Sequence, residues 1–267
     1  VSFMGGDMSD LRVALIQSDI IPDDSAANLT ALERQMAANC PDPLDLIVLP
    51  EVFTTGFHPR ARQHAETAAG PVSQWLARHA NHYNAVVTGS VVFNDANAHC
   101  NRLLWAAPDK PLQYYDKRHL FRMAGEHERY RAGRQRCIFT LGSWRVLAQV
   151  CYDLRFPVFS RNRDDYDLAL YVANWPAARH DHWRSLLKAR AIENQAYVIG
   201  VNRVGHDAYE QAYAGGSVVF SPEGELLVEA GDQASVITAQ LSEAALRDYR
   251  ARFPAHLDGD EFSLVID

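Results

Sequence analysis

Cysteine is scarce in this 267-residue chain: four residues, at 40, 100, 137 and 151, with no Cys-x-x-Cys pair among them. That excludes a disulfide scaffold and offers no zinc-ribbon or thioredoxin-type spacing. A reduced, cytoplasmic protein is expected. Long apolar runs are missing as well, so no segment is expected to span a bilayer. Positive charge is not in excess: 26 Lys and Arg stand against 33 Asp and Glu, a net charge of −7. The chain therefore has no electrostatic reason to bind nucleic acid or an anionic membrane. No internal repeat and no low-complexity linker interrupts it, and Gly and Pro are scattered as turn punctuation. With 48% hydrophobic and 22% charged residues, it has an ordinary globular composition and enough apolar surface for one large core. A single domain over residues 1–267 is expected. The leader Val1–Met8, with neither a basic region nor a long apolar stretch, is not a signal peptide and is set outside the fold.

The order of elements points to an α/β class. Arg12–Gln17 and Leu44–Leu49 read as apolar strands buried on both faces, with Pro50 against a regular strand continuing further. Between them Leu29–Ala38 is helical in pattern, with Asn28 or Ser25 as its cap. Val72–Asn81 is a second helix with Pro71 near its first position. Strands follow at Ala85–Phe93, Arg102–Ala106, Leu112–Asp116, Trp144–Val150 and Leu168–Val172. A long helix then runs from about His182 to Ala196, followed by strands Tyr197–Arg203 and Gly216–Ser221. Pro222–Glu225 is a hairpin-type turn, and Ser242 caps a last helix to Arg252. Strand–helix alternation with paired strands inside it predicts a layered α/β sandwich.

Three segments place a reactive side chain where such a fold gathers ligands, at the carboxyl ends of strands. Leu49-Pro-Glu51-Val-Phe-Thr-Thr-Gly-Phe57 ends an apolar strand on a glutamate. Tyr114-Tyr-Asp-Lys117-Arg-His-Leu-Phe121 ends one on a lysine. Ala148-Gln-Val-Cys151-Tyr-Asp-Leu-Arg-Phe-Pro157 delivers a cysteine into a sharp turn, the geometry of a nucleophile elbow. Singly, each has a bland reading: a solvated strand end, a surface lysine, an inert buried thiol.

Together the segments PEVFTTGF (50–57), DKRHLF (116–121), CYDLRFP (151–157), ANWP (173–176) and RAIENQAYVIGVNRVG (190–205) resemble the nitrilase superfamily of carbon–nitrogen hydrolases over nearly the whole chain. The resemblance implies a four-layer α-β-β-α sandwich and a Glu–Lys–Cys triad, here Glu51, Lys117 and Cys151. In that scheme Glu51 is the general base, and Lys117 with the backbone N–H of Tyr152 holds the oxyanion. A nearby ammonium also favours the thiolate. Relatives carry a second glutamate near the cysteine. Glu126, in the Gly-Glu-His turn, is the expected one, to orient Lys117 or help activate water; Glu128 is the alternative. No metal or organic cofactor is required. Four histidines test a Cys–His alternative: His119, His127, His180 and His182. His119 is expected to line the pocket. His180-Asp-His182 has the spacing of a metal pair but no fitting third ligand, and Asp181 suits a helix start.

The combination of PEVFTTGF, KRHLF, GEHERYRAG and CYDLRFPVF is most similar to the bacterial omega-amidase branch. That implies hydrolysis of the terminal amide of 2-oxoglutaramate, 2-oxosuccinamate or a close analogue, with other amides, nitriles or N-carbamoyl compounds as the alternative and a silent binding protein as the remaining one. A small dicarboxylate monoamide needs a cation for its far carboxylate, and Arg155, Arg118 and His119 are the candidates. Phe57, Phe121, Asn174 and Trp175 are expected to shape the pocket. The helix around Trp183, Leu186, Leu187, Arg190, Ile192 and Glu193 reads as core packing; by analogy alone it lies near a homodimer interface.

Overall fold

The computed structural model describes residues 10–96 and 98–265; the leader at 1–8 lies outside them. Two six-stranded mixed sheets lie face to face. The first contains β1 (Leu11–Gln17), β2 (Leu46–Val48), β3 (Val86–Asp95), β4 (Ala98–Ala106) and β5 (Gln113–Asp116). The second contains β6 (Ile138–Leu141), β7 (Trp144–Val150), β8 (Leu168–Ala173) and β9 (Tyr197–Asn202). A short hairpin follows, β10 (Val204–His206) with β11 (Ala212–Ala214). β12 (Val218–Phe220) and β13 (Leu226–Glu229) then complete the second sheet, and β14 (Ser235–Leu241) returns to pair antiparallel with β1. The orders are β14-β1-β2-β3-β4-β5 and β13-β12-β9-β8-β7-β6. Each sheet has three parallel strands at its centre, β1-β2-β3 and β7-β8-β9, and antiparallel additions outside them.

The alternation of side chains along these strands builds four layers. Leu46 and Val48 face the opposite sheet, as do Val146, Ala148 and Val150. Their neighbours Ile47 and Leu49 face outward instead, onto α1 (Ser25–Asn39) and α2 (Pro71–Tyr83). On the far side Leu147, Ala169 and Tyr171 meet Trp183 and Leu187 of a long helix at His180–Asn194. Strands buried on both faces read as continuous apolar runs, which is why LDLIVL and LALYV were legible. Gly200 lets that helix seat closely: a Cβ there would fall 2.4 Å from Leu187 and 2.7 Å from Trp183. The arrangement is the expected α-β-β-α sandwich. No helix among the described residues is long and apolar enough to cross a membrane.

Some boundaries differ from expectation. Helix α1 starts at Ser25 and is capped by Asp24, whose side chain accepts from the Ala27 N–H. Asn28 is no cap: it is buried inside the helix, where its amide ties Ile21 and Thr54 together. Ser242 does cap the last helix, Glu243–Arg252. Edge strands β6 and β14 and the β10–β11 hairpin carry weaker apolar patterns and are not marked in the sequence.

Candidate active site

The two sheets present their ends to one another at a cavity of about 410 Å³. Glu51 follows β2 in the first sheet; Cys151 follows β7 in the second. At both places the chain turns sharply through the left-handed region, at Val52 (φ +43°) and at Cys151 itself (φ +48°). Non-glycine residues rarely adopt it, and such strain is kept where surrounding bonds over-determine it. After Glu51 those bonds are Val52 N–H to Ser90 Oγ (2.9 Å) and Phe53 N–H to the Ser90 carbonyl (3.1 Å). Around Cys151 they converge on Asp153. This fully buried carboxylate accepts from Val150 N–H (3.0 Å) and Tyr115 Oη (2.7 Å) on one oxygen. Its other oxygen accepts from His119 N–H (2.9 Å) and meets His119 Nδ1 (2.7 Å). The elbow occupies a short 3-10 turn, Cys151–Arg155. Arg190 of the long helix holds its far end through the Leu154 carbonyl (2.7 Å).

Lys117 follows β5. Its backbone is pinned on both sides, by its N–H to the Asn101 carbonyl and by Gly133 N–H to its own carbonyl, each 2.9 Å. A Cβ on Gly133 would lie 2.0 Å from the Asp116 carbonyl oxygen, so only glycine admits this approach. The Lys117 ammonium is buried and donates to Glu51 Oε1 (2.9 Å) and to both oxygens of Glu126 (3.1 and 3.0 Å). Phe57 lies beside it, 5.5 Å from nitrogen to ring centre. Asn101 donates to Glu51 at 2.8 Å and reaches Glu126 at 3.4 Å. Glu51 Oε2 accepts the backbone N–H of Asn174 (2.7 Å), and the Asn174 amide donates to the Glu51 carbonyl (2.8 Å). Glu51 is therefore held partly by the sheet that carries the cysteine.

The electrostatics follow from burial and these contacts. Burial works against the Lys117 charge, but Glu126 and Glu51 outweigh it and raise its pKa well above the ordinary value. Burial raises Glu126; Lys117 opposes that, and Glu51 adds to it. The Cys151 thiol is pushed well up by burial and then by Glu51, and Lys117 only partly offsets this. Lys117 does pull toward the thiolate, but burial and the two carboxylates outweigh it; the Cys151 Sγ–H is directed to the Asn174 carbonyl at 3.9 Å.

The structure brings Glu51, Lys117, Cys151 and Glu126 together. It also separates the two glutamates: Glu126 is fully buried on Lys117 and on the Phe121 N–H (2.6 Å), whereas the Glu128 side chain is 72% exposed beside His127. Phe57, Phe121, Tyr152, Arg155, Asn174 and Trp175 line the cavity. His119 does not. Its ring stacks on Phe156 with centres 3.8 Å apart and bonds Asp153, so it braces the elbow from behind. Arg118 is directed to the Gly133 carbonyl. His182 meets the Arg155 guanidinium (3.1 Å), and among the described residues no three His, Cys, Asp or Glu side chains are grouped to hold a metal. Sequence reasoning missed Asn101, Asp153 and Arg179, and the β10–β11 turn that brings Asp207, Tyr209 and Gln211 to the cavity. An asparagine inside an otherwise apolar strand and an acid two residues beyond the cysteine were the available signals for the first two.

Comparison with known proteins agrees with this geometry. Residues 12–251 match the family model for carbon-nitrogen hydrolases. The chain is 50% identical over 258 residues to the omega-amidase YafV of Escherichia coli (strain K12), covering 96% of this chain and all of that one. It is 31% identical to the 2-oxoglutaramate amidase of Bacillus subtilis (strain 168), over 80% of this chain and 84% of the relative. Among solved structures it superposes with a TM-score of 0.94 on XC1258 from Xanthomonas campestris, a CN-hydrolase superfamily protein with an arsenic adduct in its active site. That protein is 48% identical, with 97% of this chain and all of that one covered. The chain belongs to the carbon–nitrogen hydrolase family, within the nitrilase superfamily.

Proposed function

We propose that the protein is a cysteine-dependent amidohydrolase that releases ammonia from the terminal amide of a small dicarboxylate monoamide, with 2-oxoglutaramate or 2-oxosuccinamate as the type. One observation carries the reading: a thiol and a buried carboxylate meet at a cavity floor, with an ammonium fixed beside them between two glutamates. The names of the E. coli and B. subtilis relatives support the amide and the substrate class.

In this mechanism Glu51 takes the proton of Cys151 as sulfur attacks the amide carbon. General-base removal in step with attack suits a thiol held above its ordinary pKa. The oxyanion that develops is met by Lys117 Nζ and the backbone N–H of Tyr152. Glu51 returns the proton to the departing nitrogen, the C–N bond breaks, and ammonia leaves a thioester on Cys151. Water, deprotonated by Glu51, attacks that thioester; the second tetrahedral intermediate expels sulfur, which recovers its proton. Every step uses these side chains and water. Glu126 is spent on Lys117 and Phe121 and does not line the cavity, which favours its orienting the lysine over its activating water. A cytoplasmic homodimer completes the proposal, and sedimentation of the purified chain checks the dimer.

The test is ammonia release from 2-oxoglutaramate by the wild type and by Cys151→Ala. Release by the wild type alone supports both reaction and nucleophile. Equal release by the alanine variant overturns the mechanism. Activity confined to nitriles or N-carbamoyl compounds overturns the substrate class and leaves the catalytic groups in place.

A further inference from the structure

We propose that Asn101 is a positioning residue for Glu51: its amide fills one carboxylate oxygen, Oε1, so that the other, Oε2, is the one that takes the proton of Cys151. The inference deepens the amidase reading and rests on its assignment of Glu51 as the base.

Asn101 stands inside β4, paired with Val92 of β3, and is buried. An amide in the middle of a buried strand has to be satisfied by the fold around it. Its backbone carbonyl accepts the Lys117 N–H. Its Nδ2 donates to Oε1 of Glu51 (2.8 Å) and reaches Oε1 of Glu126 (3.4 Å). These are two oxygens that the Lys117 ammonium also meets, at 2.9 and 3.1 Å. Lysine and asparagine therefore bridge the same pair of carboxylate oxygens. The amide faces them this way round because the reverse would set Oδ1 against two carboxylates. Oδ1 itself is buried with no partner among the described residues. A side chain kept only for packing would not leave a buried acceptor empty. Here that oxygen is given up so that the NH₂ group serves both glutamates.

Lone pairs then separate the two oxygens of Glu51. A carboxylate oxygen accepts about two hydrogen bonds. Oε1 has two donors, Lys117 Nζ and Asn101 Nδ2. Oε2 has one, the Asn174 N–H (2.7 Å), and keeps a lone pair. Asn174 also marks the side on which the cysteine lies, since the Cys151 Sγ–H is directed to the Asn174 carbonyl. The lysine gives Asn101 a second task. Three oxygens already face its three N–H groups: Oε1 of Glu51 and both of Glu126. A bond to the developing oxyanion has to be drawn from one of these contacts. When Lys117 turns from Glu51, the amide still holds Oε1, and the base keeps its aim through the step. Asn101 is not among the residues lining the cavity, so it acts through Glu51 and touches no substrate. The titratable groups around Glu51 are Lys117, Glu126, Cys151 and Tyr213. Asn101 is neutral, so removing it withdraws support from the carboxylate without changing the formal charge of the site.

The experiment compares Asn101→Leu and Asn101→Thr with the wild type. Leucine removes the donor; threonine suits a strand and keeps one hydroxyl donor. On 2-oxoglutaramate, Asn101→Leu is expected to lower kcat about 10–100-fold, the scale of one hydrogen bond to a charged group, with KM little changed. A donor to the charged form favours that form, so its loss moves the acid limb of kcat/KM to higher pH. Asn101→Thr falls between the two, and it carries the comparison where the leucine variant does not fold. An infrared arm is independent of turnover. The band of the protonated Glu51 carboxyl, identified by its absence in Glu51→Gln, appears on acidification at a higher pH in Asn101→Leu than in the wild type. A fall in kcat with an unmoved acid limb and an unmoved carboxyl band overturns the proposal, since the amide would then serve the structure alone. Unchanged kcat in both variants also overturns it, and in either case the amidase reading stands. A moved carboxyl band in an enzyme that does not hydrolyse 2-oxoglutaramate supports the hold of Asn101 on Glu51 and overturns the reaction; an unmoved band in such an enzyme overturns both.

Discussion

Asp153→Asn tests the cage that holds Cys151. Asp153 has no exposure and faces donors on both oxygens: Val150 N–H and Tyr115 Oη on one, His119 N–H and its ring nitrogen on the other. Burial and Asp153 push the Tyr115 hydroxyl far above its usual range, so it stays a donor. An asparagine must turn its NH₂ toward one pair. Toward the first pair, the tyrosine hydroxyl can rotate to accept, but the Val150 N–H loses its partner. Toward the second, the imidazole can change tautomer, but the His119 N–H is orphaned. A buried backbone N–H left unpaired costs about 1–3 kcal/mol, and loss of the charge weakens the surviving bonds, so the total is roughly 2–4 kcal/mol. At about 2–4 °C per kcal/mol for a chain of this size, thermal unfolding should shift down by roughly 5–15 °C. Either orphan relaxes the turn that presents sulfur, and a displacement on the order of 1 Å costs about 10²-fold in rate. Tyr115→Phe is the comparison: it removes one donor and leaves the Val150 bond, for about 1 kcal/mol. Circular-dichroism melts and kcat on the same preparations decide it. An Asp153→Asn protein that melts with the wild type and keeps its kcat would refute the cage.

Three other outcomes follow from the same contacts. Glu126→Gln should lower kcat about 10–100-fold with the fold retained, whereas Glu128→Gln on the surface should match the wild type; steady-state kinetics reverse the assignment if Glu128 is the sensitive one. Lys117→Met leaves Glu51 and Glu126 buried without their cation and should cost about 3–5 kcal/mol at neutral pH. One carboxyl then holds its proton more tightly folded than unfolded, so stability should fall as pH rises from about 4.3, the unfolded carboxyl value, through the raised folded one; flat stability over about pH 4–7 in denaturant titrations would contradict it. Glu51→Gln removes a group that raises the Cys151 thiol while Lys117 still lowers it. The inflection of Cys151 alkylation by iodoacetamide should therefore move to lower pH. Cys40 and Cys100, pushed by burial up to about 11 and about 12, should stay slow at neutral pH. An inflection that moves upward would show that Glu51 is not the controlling charge.

The parts of this molecule that were legible from sequence are those where one residue carries the signal. LDLIVL and LALYV alternate between two buried faces, so nearly every position is apolar and the strand declares itself. Glu51 and Cys151 each end such a strand and Lys117 ends the half-exposed edge strand β5, and a reactive side chain is visible at each strand end. Asn101 and Asp153 were hidden because their work lies in what they bond across the fold, and sequence distance conceals it: Asn101 meets a residue 50 positions away, and Asp153 meets His119 from 34. His119 misled for the same reason. Two positions after Lys117 it belongs near the cavity, yet its ring turns to Asp153. The pull of Lys117 on the thiol was legible because a lysine is visible in sequence, whereas desolvation and the competing charge of Glu51 appear only once all three groups are packed.

Glu51 and Cys151 stand on different sheets, so the distance between carboxylate and thiol is gauged by the apolar layer that spaces those sheets. Val48 and Val150, three and one residues from Glu51 and Cys151, both belong to that layer. Interiors are close-packed and resist compression, so the gap is well defined as long as the layer is filled. A methyl group lost there, at Val150 or at Leu103 in the same layer, would let the sheets settle by a fraction of an ångström. Turnover would register that change before melting did. Side chains with no chemistry of their own would then be tuning elements for proton transfer, and drift in this core would change the enzyme's speed while every reactive residue stayed in place.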